Sequence, residues 1–79
     1  MMREVQILLK SIADVKKFVQ TITMFSGDFE LISGKYIVDA KSILGLFSVD
    51  LSKPVILRIE GDDSKLNEIL EAIKEYKTE

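Results

Sequence analysis

The sequence predicts an α+β fold: an open-faced sandwich in which a four-stranded antiparallel sheet carries three helices on one face, in the order β-α-β-β-α-β-α. Two patterns and one packing argument predict it. Four short segments alternate between apolar and polar residues, as half-buried strands do. Two longer segments repeat apolar residues every three or four positions, which is typical of helices with one buried face. Because each of these helices needs an apolar partner, one face of the sheet is the economical place for them.

The composition predicts one globular domain over residues 1–79. With 47% hydrophobic and 30% charged residues and no low-complexity run, the chain has the balance of a folded protein. A chain of this size buries about 60 to 65 per cent of the surface that its unfolded form exposes, so we expect a single core and modest stability.

Charge and missing residue types exclude several classes of function. The net charge is −2 and no long basic block occurs, so we expect no nucleic-acid partner. The chain has no cysteine and no histidine, which removes disulfides, thiolate chemistry, the usual general base and the commonest metal ligand. We therefore expect no metal and no cofactor. No apolar stretch is long enough to span a membrane, and we expect a cytoplasmic protein with no membrane partner.

The first strand is predicted over residues 4–9 and the first helix over residues 12–24. Ser11 is the expected N-cap residue of that helix, and Asp14 resembles the acidic partner of a capping box. The apolar side of the strand comprises Val5, Ile7 and Leu9, and that of the helix Ile12, Val15, Phe18, Val19, Ile22 and Phe25.

The middle of the chain predicts a hairpin followed by a short helix. Residues 29–39 alternate on both sides of the turn Ser-Gly-Lys, so they are expected to form strands two and three. A short helical segment is expected over residues 42–47, and a loop over residues 48–53. Pro54 then begins the fourth strand.

The last helix is the most regular pattern in the chain. It follows the turn Gly-Asp-Asp-Ser, and charged residues occupy the side opposite its apolar stripe. That stripe comprises Leu66, Ile69, Leu70, Ile73 and Tyr76.

The second face of the predicted sheet carries apolar residues among charged ones. If they cluster, they form a patch through which the protein could self-associate as a homo-oligomer, although scattered exposed aliphatic residues are equally ordinary. These residues are Leu8, Ile32, Ile37 and Ile56.

Residues 34–63, "GKYIVDAKSILGLFSVDLSKPVILRIEGDD", resemble the second half of HPr, the phosphocarrier protein of the bacterial sugar phosphotransferase system. The most specific element is "AKSILGLFSVD", which is similar to the Lys-Ser-Ile-Met-Gly-Val-Met-Ser-Leu-Gly pattern of low-GC Gram-positive members. The resemblance implies the HPr fold, an open-faced β-sandwich with the element order given above.

The residues that carry phosphate in that family have no match here. The resemblance places the family's active-site histidine on Ser11, its arginine on Ala13 and its proline on Asp14. Asp14 adds a negative charge where a phosphoryl group would sit, which opposes its binding. We therefore expect no phosphohistidine transfer and no enzymatic activity, and interpret Ser11 as a helix cap.

The resemblance also assigns roles around the short helix. Ser42 falls on the regulatory serine that a bifunctional kinase/phosphorylase modifies in Gram-positive relatives, and it is also a suitable N-cap residue; the two roles are compatible. Ile43, Leu44 and Phe47 fall on outward-facing positions that dock phosphotransferase partners and catabolite regulators. The plainer interpretation is that Ile43 and Leu46 close the open end of the sheet.

Two hypotheses of function remain. The first is an HPr-like regulatory or interaction module that docks through the short helix and is switched at Ser42. The second is an unrelated ferredoxin-like ligand-binding or regulatory domain. An acylphosphatase-like enzyme is disfavoured, because no glycine-rich phosphate loop joins the few arginines to Asn67.

Overall fold

The computed structural model describes residues 1–78 and shows the predicted order of elements. The expected domain of residues 1–79 includes residue 79, which lies outside the described residues. The strands are β1 (Met2–Ile7), β2 (Asp28–Ser33), β3 (Tyr36–Asp39) and β4 (Val55–Glu60). The helices are α1 (Ile12–Ile22), α2 (Ile43–Phe47) and α3 (Leu66–Ala72).

The four strands form one antiparallel sheet in the order β1-β4-β2-β3. Strand β4 lies between β1 and β2, so the hairpin of β2 and β3 forms one side of the sheet and β1 the other. This arrangement confirms the predicted open-faced, four-stranded antiparallel sheet with three helices.

The core lies between the helices and one face of the sheet. Alternation along the strands delivers every second side chain to this face, and the helical stripes cover it. Its buried members include Val5, Ile7, Leu9, Val15, Phe18, Ile22, Phe29, Leu31, Leu46, Val55, Leu57, Ile59, Ile69, Ile73 and Tyr76. The buried sides predicted for the first strand and for the middle of the first helix are confirmed.

Several element boundaries differ from the prediction. The first strand begins and ends two residues earlier than expected, so Leu9 is buried beyond its end. Helix α1 ends at Ile22 rather than Met24, because the Met24 and Phe25 N–H groups bond to the carbonyls three residues back, in tighter turns. Ile12, expected on the apolar stripe, is 64% exposed.

Helix α3 is shorter than its apolar stripe predicted. A 3₁₀ turn over residues 63–65 precedes it, and another over residues 74–76 follows it. The stripe still reaches the core, and its last member, Tyr76, is buried. The chain then runs beside β1, where the Leu8 N–H bonds to the Tyr76 carbonyl and the Thr78 N–H to the Gln6 carbonyl.

Two glycines adopt backbone conformations that other residues rarely adopt. Gly34 has φ of 58° in the two-residue turn between β2 and β3. Gly27 has φ of 111°, and a Cβ there would lie 2.6 Å from the Glu60 carbonyl oxygen. Gly27 therefore permits the loop after α1 to pass closely over the end of β4.

Candidate functional site

At the start of α1, two side chains accept hydrogen bonds from backbone N–H groups that a phosphate-binding site would leave free. The Ser11 hydroxyl accepts a hydrogen bond from the Asp14 N–H at 3.0 Å, which confirms Ser11 as the N-cap residue. The Asp14 carboxylate accepts from the Lys10 N–H at 3.1 Å, one residue earlier than a capping box would place this bond. The backbone N–H groups of Lys10 and Asp14 are therefore already hydrogen-bonded within the protein.

The remaining residues here supply little chemistry for phosphoryl transfer. Ala13 is exposed and offers only a methyl group. The chain has no histidine, so no imidazole can accept a phosphoryl group or serve as a base for the Ser11 hydroxyl.

Ser42 caps α2. Its hydroxyl accepts a hydrogen bond from the Gly45 N–H at 3.2 Å, and the residue is half-buried. The N-cap prediction is confirmed, and the predicted modification of this serine stays a prediction.

Helix α2 presents part of its predicted apolar surface to solvent. Leu44 is 80% exposed and Phe47 is 45% exposed, as expected for outward-facing positions. Ile43 instead is half-buried and packs against the core, because it lies on the same inward side of α2 as the fully buried Leu46. Ile43 and Leu46 therefore contribute to the core, whereas Leu44 and Phe47 are exposed; the docking role of this surface stays a prediction.

A shallow groove brings the two predicted regions together. It lies between the start of α1 and the end of α2, and both Ser11 and Phe47 line it. We call it the α1–α2 groove; its lining residues are Leu9, Lys10, Ser11, Ile12, Val15, Phe47, Val49, Leu51 and Ser52.

Sequence reasoning missed the contribution of the loop after α2 to this groove. Val49 and Leu51 line the groove, whereas the sequence predicts only a connecting loop over residues 48–53. The alternation of Val49 and Leu51 with polar neighbours was the available signal. The Asp50 carboxylate accepts hydrogen bonds from the Ser52 hydroxyl at 2.6 Å and from the Ser52 N–H at 2.9 Å. These two bonds lower the pKa of Asp50. They give this exposed loop a defined turn.

Lys41 ties the start of α2 to the loop after α1. Its Nζ donates to the Phe25 carbonyl at 2.6 Å and to the Gly27 carbonyl at 3.2 Å. The same ammonium lies 4.9 Å from the centroid of the Phe29 ring. These contacts position the residue directly before Ser42.

Three of the four aliphatic residues predicted on the second sheet face are neighbours. Ile56 pairs with Ile32, and Ile32 pairs with Ile37, so they form one row across three strands. Leu8 lies beyond the end of β1, where its N–H bonds to the Tyr76 carbonyl. Within residues 1–78, no group of three acidic side chains is arranged to hold a metal ion.

A protein-family model matches most of this chain. The family model described as the PTS HPr component phosphorylation site matches residues 13–79, a segment that begins after Ser11. A search of curated protein sequences returned no significant match.

Three solved structures resemble the chain over most of its length. The first, HPr-C-His from Thermoanaerobacter tengcongensis, has 29% identity and a TM-score of 0.73 and covers 92% of this chain and 88% of its own. The phosphocarrier protein HPr from Bacillus anthracis strain Ames has 28% identity and a TM-score of 0.68, with coverage of 99% and 96%. The HPr dimer from Thermoanaerobacter tengcongensis has 33% identity and a TM-score of 0.65, with coverage of 85% and 79%.

Proposed function

The chain belongs to the HPr family of the phosphotransferase system, and from that premise we propose that it is a protein-interaction module that carries no phosphohistidine. HPr proteins are phosphocarriers rather than classical enzymes, and they interact with other proteins of the phosphotransferase system. Family membership leaves no support for the unrelated ferredoxin-like alternative. Within residues 1–78, no helix combines the length and apolarity needed to cross a membrane.

The observation that carries the proposal is the chemistry at the start of α1. The chain has no histidine, and the position that the resemblance assigns to one holds Ser11, whose hydroxyl caps the helix. A serine phosphate ester is a poorer phosphoryl donor than a phosphoramidate, and the chain has no imidazole to activate this hydroxyl. The Asp14 carboxylate adds repulsion toward an incoming phosphoryl group.

The exposed side of α2 supports the docking part of the proposal. Leu44 and Phe47 place two large apolar side chains in solvent, and Phe47 borders the α1–α2 groove. An exposed aromatic side chain beside an apolar groove with a polar rim is a suitable centre for a small, transient interface.

Binding to purified phosphotransferase proteins of the same cell tests this docking surface. Leu44→Asp and Phe47→Asp place a charge in the apolar contact, so each is expected to weaken binding by about tenfold or more. Met24→Asp is the matched control, because Met24 is 76% exposed and lies outside both α2 and the groove. Unchanged binding by both α2 variants would remove the docking surface from the proposal.

Ser42 is a second candidate feature, a regulatory phosphorylation site. Within residues 1–78, the hydroxyl of this half-buried residue accepts one hydrogen bond, from the Gly45 N–H, and the surrounding "KSILG" stretch resembles the family's regulatory serine motif. Incubation with the kinase/phosphorylase of the same cell, followed by intact-mass measurement, should add one phosphate to the wild type and to Ser48→Ala, but none to Ser42→Ala. No added mass on the wild type would retire this switch and leave the docking proposal standing.

A further inference from the structure

The sheet face away from the helices carries an apolar row in contact with solvent. The row runs from Ile37 on β3 through Ile32 on β2 to Ile56 on β4, and Gln6 on β1 continues it. Ile37 is 55% exposed, and Ile32 and Ile56 are half-buried although their face carries no helix.

Apart from Met2, Gln6 and Arg58, the other strand residues of this face are acidic. In the next row, Arg58 lies between Glu4 and Glu30, and forms ion pairs with them at 3.0 and 3.4 Å. The five carboxylates of the face are Glu4, Asp28, Glu30, Asp39 and Glu60, and Arg58 is the guanidinium among them.

The carboxylates cluster toward β2 and β3, where they have few cationic partners. Asp28, Asp39 and Glu60 form no salt bridge within residues 1–78. They line a shallow depression with Glu30 and Ile37. Lys41 also lines this depression, but its ammonium is committed to two backbone carbonyls.

The charge of this face favours a basic occupant over a second copy of the chain. The whole chain has 13 acidic and 11 basic side chains. Five of the acidic and one of the basic side chains lie on this face, which therefore has a net charge of −4. The other side chains of the protein together have a net charge of +2. Pairing two such faces brings like charges together, which is unfavourable. Two further cations, Arg3 and Lys77, line a depression with Glu4, Gln6 and Ile56 at the β1 edge of this face, away from the unpaired carboxylates near β3.

The spacing of the rows suits a helix that crosses the strands. Neighbouring strands lie about 4.8 Å apart, close to the pitch of an α-helix, about 5.4 Å. Apolar side chains on successive turns can therefore contact Ile37, Ile32 and Ile56 in sequence. The acidic row lies two residues along each strand, about 6.7 Å away, where Lys or Arg side chains flanking the helix stripe can reach it.

From these features we propose that the open sheet face binds a basic amphipathic helix of a partner protein. Its apolar stripe lies along the isoleucine row, and its cations enter the acidic depression beside β3. This surface lies on the opposite side of the sheet from the helices and is independent of docking through α2.

Two synthetic peptides test this proposal with the intact protein. Each has about 18 residues, enough for a helix of several turns, with one leucine stripe; the polar face is lysine in one peptide and glutamate in the other. Fluorescence anisotropy should show binding of the lysine peptide only. Ile37→Ser and the double variant Glu30→Gln/Asp39→Asn should each weaken binding by about tenfold.

Matched controls separate a specific surface from general charge attraction. Glu68→Gln/Glu71→Gln makes the same change of charge on α3, and Phe47→Asp alters the α2 surface; both should bind the lysine peptide as the wild type does. Circular dichroism confirms that each variant is folded. The proposal is overturned if the α3 control weakens binding as much as the sheet variant, if the sheet variants bind normally, or if the free protein sediments as a dimer that Ile37→Ser dissociates.

Discussion

Tyr76 lies in the core although its hydroxyl group is not well hydrogen-bonded. Its ring packs edge-on against Phe18 with centroids 5.5 Å apart, and the residue is 3% exposed. Its hydroxyl is buried and makes no hydrogen bond of ordinary geometry among residues 1–78, although the Glu75 carboxylate lies near it. Burial, with the nearby charges of Glu75 and Asp14, raises the pKa of Tyr76.

Tyr76→Phe is expected to stabilise the protein. The variant keeps the ring contact with Phe18 and removes a buried hydroxyl that lost its water partners on folding, so the free energy of unfolding should rise by about 1 kcal/mol. Urea denaturation measures this change, and Tyr36→Phe serves as a control because Tyr36 is exposed. A lower unfolding free energy for Tyr76→Phe would show that the hydroxyl has a stabilising partner.

The same variant has a predictable pH dependence. The folded state raises the pKa of Tyr76, so the folded protein holds the hydroxyl proton more tightly than the unfolded chain does. The free energy of unfolding of the wild type is therefore constant in this respect below the unfolded pKa of about 10, and falls as the pH rises from there through the folded pKa. Tyr76→Phe lacks this loss. Its stability advantage over the wild type should therefore widen above about pH 10.

Lys41 is a second residue whose role depends on the folded backbone. Replacing it with Met keeps the apolar stem but removes two hydrogen bonds to the Phe25 and Gly27 carbonyls and the cation over Phe29. Lys41→Met is expected to lower the free energy of unfolding by about 1 to 2 kcal/mol. Lys35→Met, in the exposed hairpin turn, should change stability little. Equal effects of the two variants would show that the Lys41 contacts add nothing specific.

Neither of these roles could be predicted from the sequence. The carbonyls that Lys41 contacts lie 14 and 16 residues away, and main-chain acceptors leave no signal in residue type. Ser11 and Ser42 were predictable as caps because their partners lie three residues ahead in the same helix.

At the scale of elements, α2 is short and contains Gly45 in its middle. Glycine weakens a helix because it loses more backbone freedom on folding than other residues. A Cβ at Gly45 would lie 3.4 Å from the Ser42 Cβ and Oγ and 3.5 Å from the Val38 Cβ, which is the close end of ordinary contact. The glycine therefore has no steric requirement in this helix.

Gly45→Ala is expected to raise the free energy of unfolding by about 0.5 to 1 kcal/mol, since alanine is the better helix former. Thermal denaturation would show the increase, and binding through Leu44 and Phe47 should be unchanged. Gly27→Ala provides the contrast, because its Cβ would lie 2.6 Å from the Glu60 carbonyl oxygen, and it should be strongly destabilising. A destabilised Gly45→Ala protein would mean that α2 cannot accommodate the methyl group beside Ser42.

The elements that carried a complete local pattern were predicted well. The hairpin had both alternation and a glycine turn, and β4 and α2 were placed within one residue. Helix α3 was predicted too long, because the apolar spacing continues through the 3₁₀ turns at both of its ends. Apolar spacing of three to four residues does not distinguish one continuous helix from a short helix flanked by such turns.

At the scale of the whole molecule, the sheet separates two different surfaces. The helix side carries the α1–α2 groove and the exposed part of α2, and the open side carries the isoleucine row and its carboxylates. The fold could be predicted because alternation, helical stripes and the resemblance agreed. The mixture of isoleucine and charged residues on the open face could be predicted, because alternation along each strand places them there. The groove could not be predicted, because it joins residues from segments distant in sequence.

The central claim is that this HPr-family chain docks with phosphotransferase proteins but passes on no phosphate. Its most direct test is phosphoryl transfer from a histidine-bearing HPr to a sugar permease component, measured while increasing amounts of this chain are added. The claim predicts that the wild-type chain lowers the transfer rate and gains no acid-labile phosphate, whereas Phe47→Asp leaves the rate unchanged. A transfer rate that the wild-type chain does not lower, or acid-labile phosphate passing through it to the permease component, would contradict the claim.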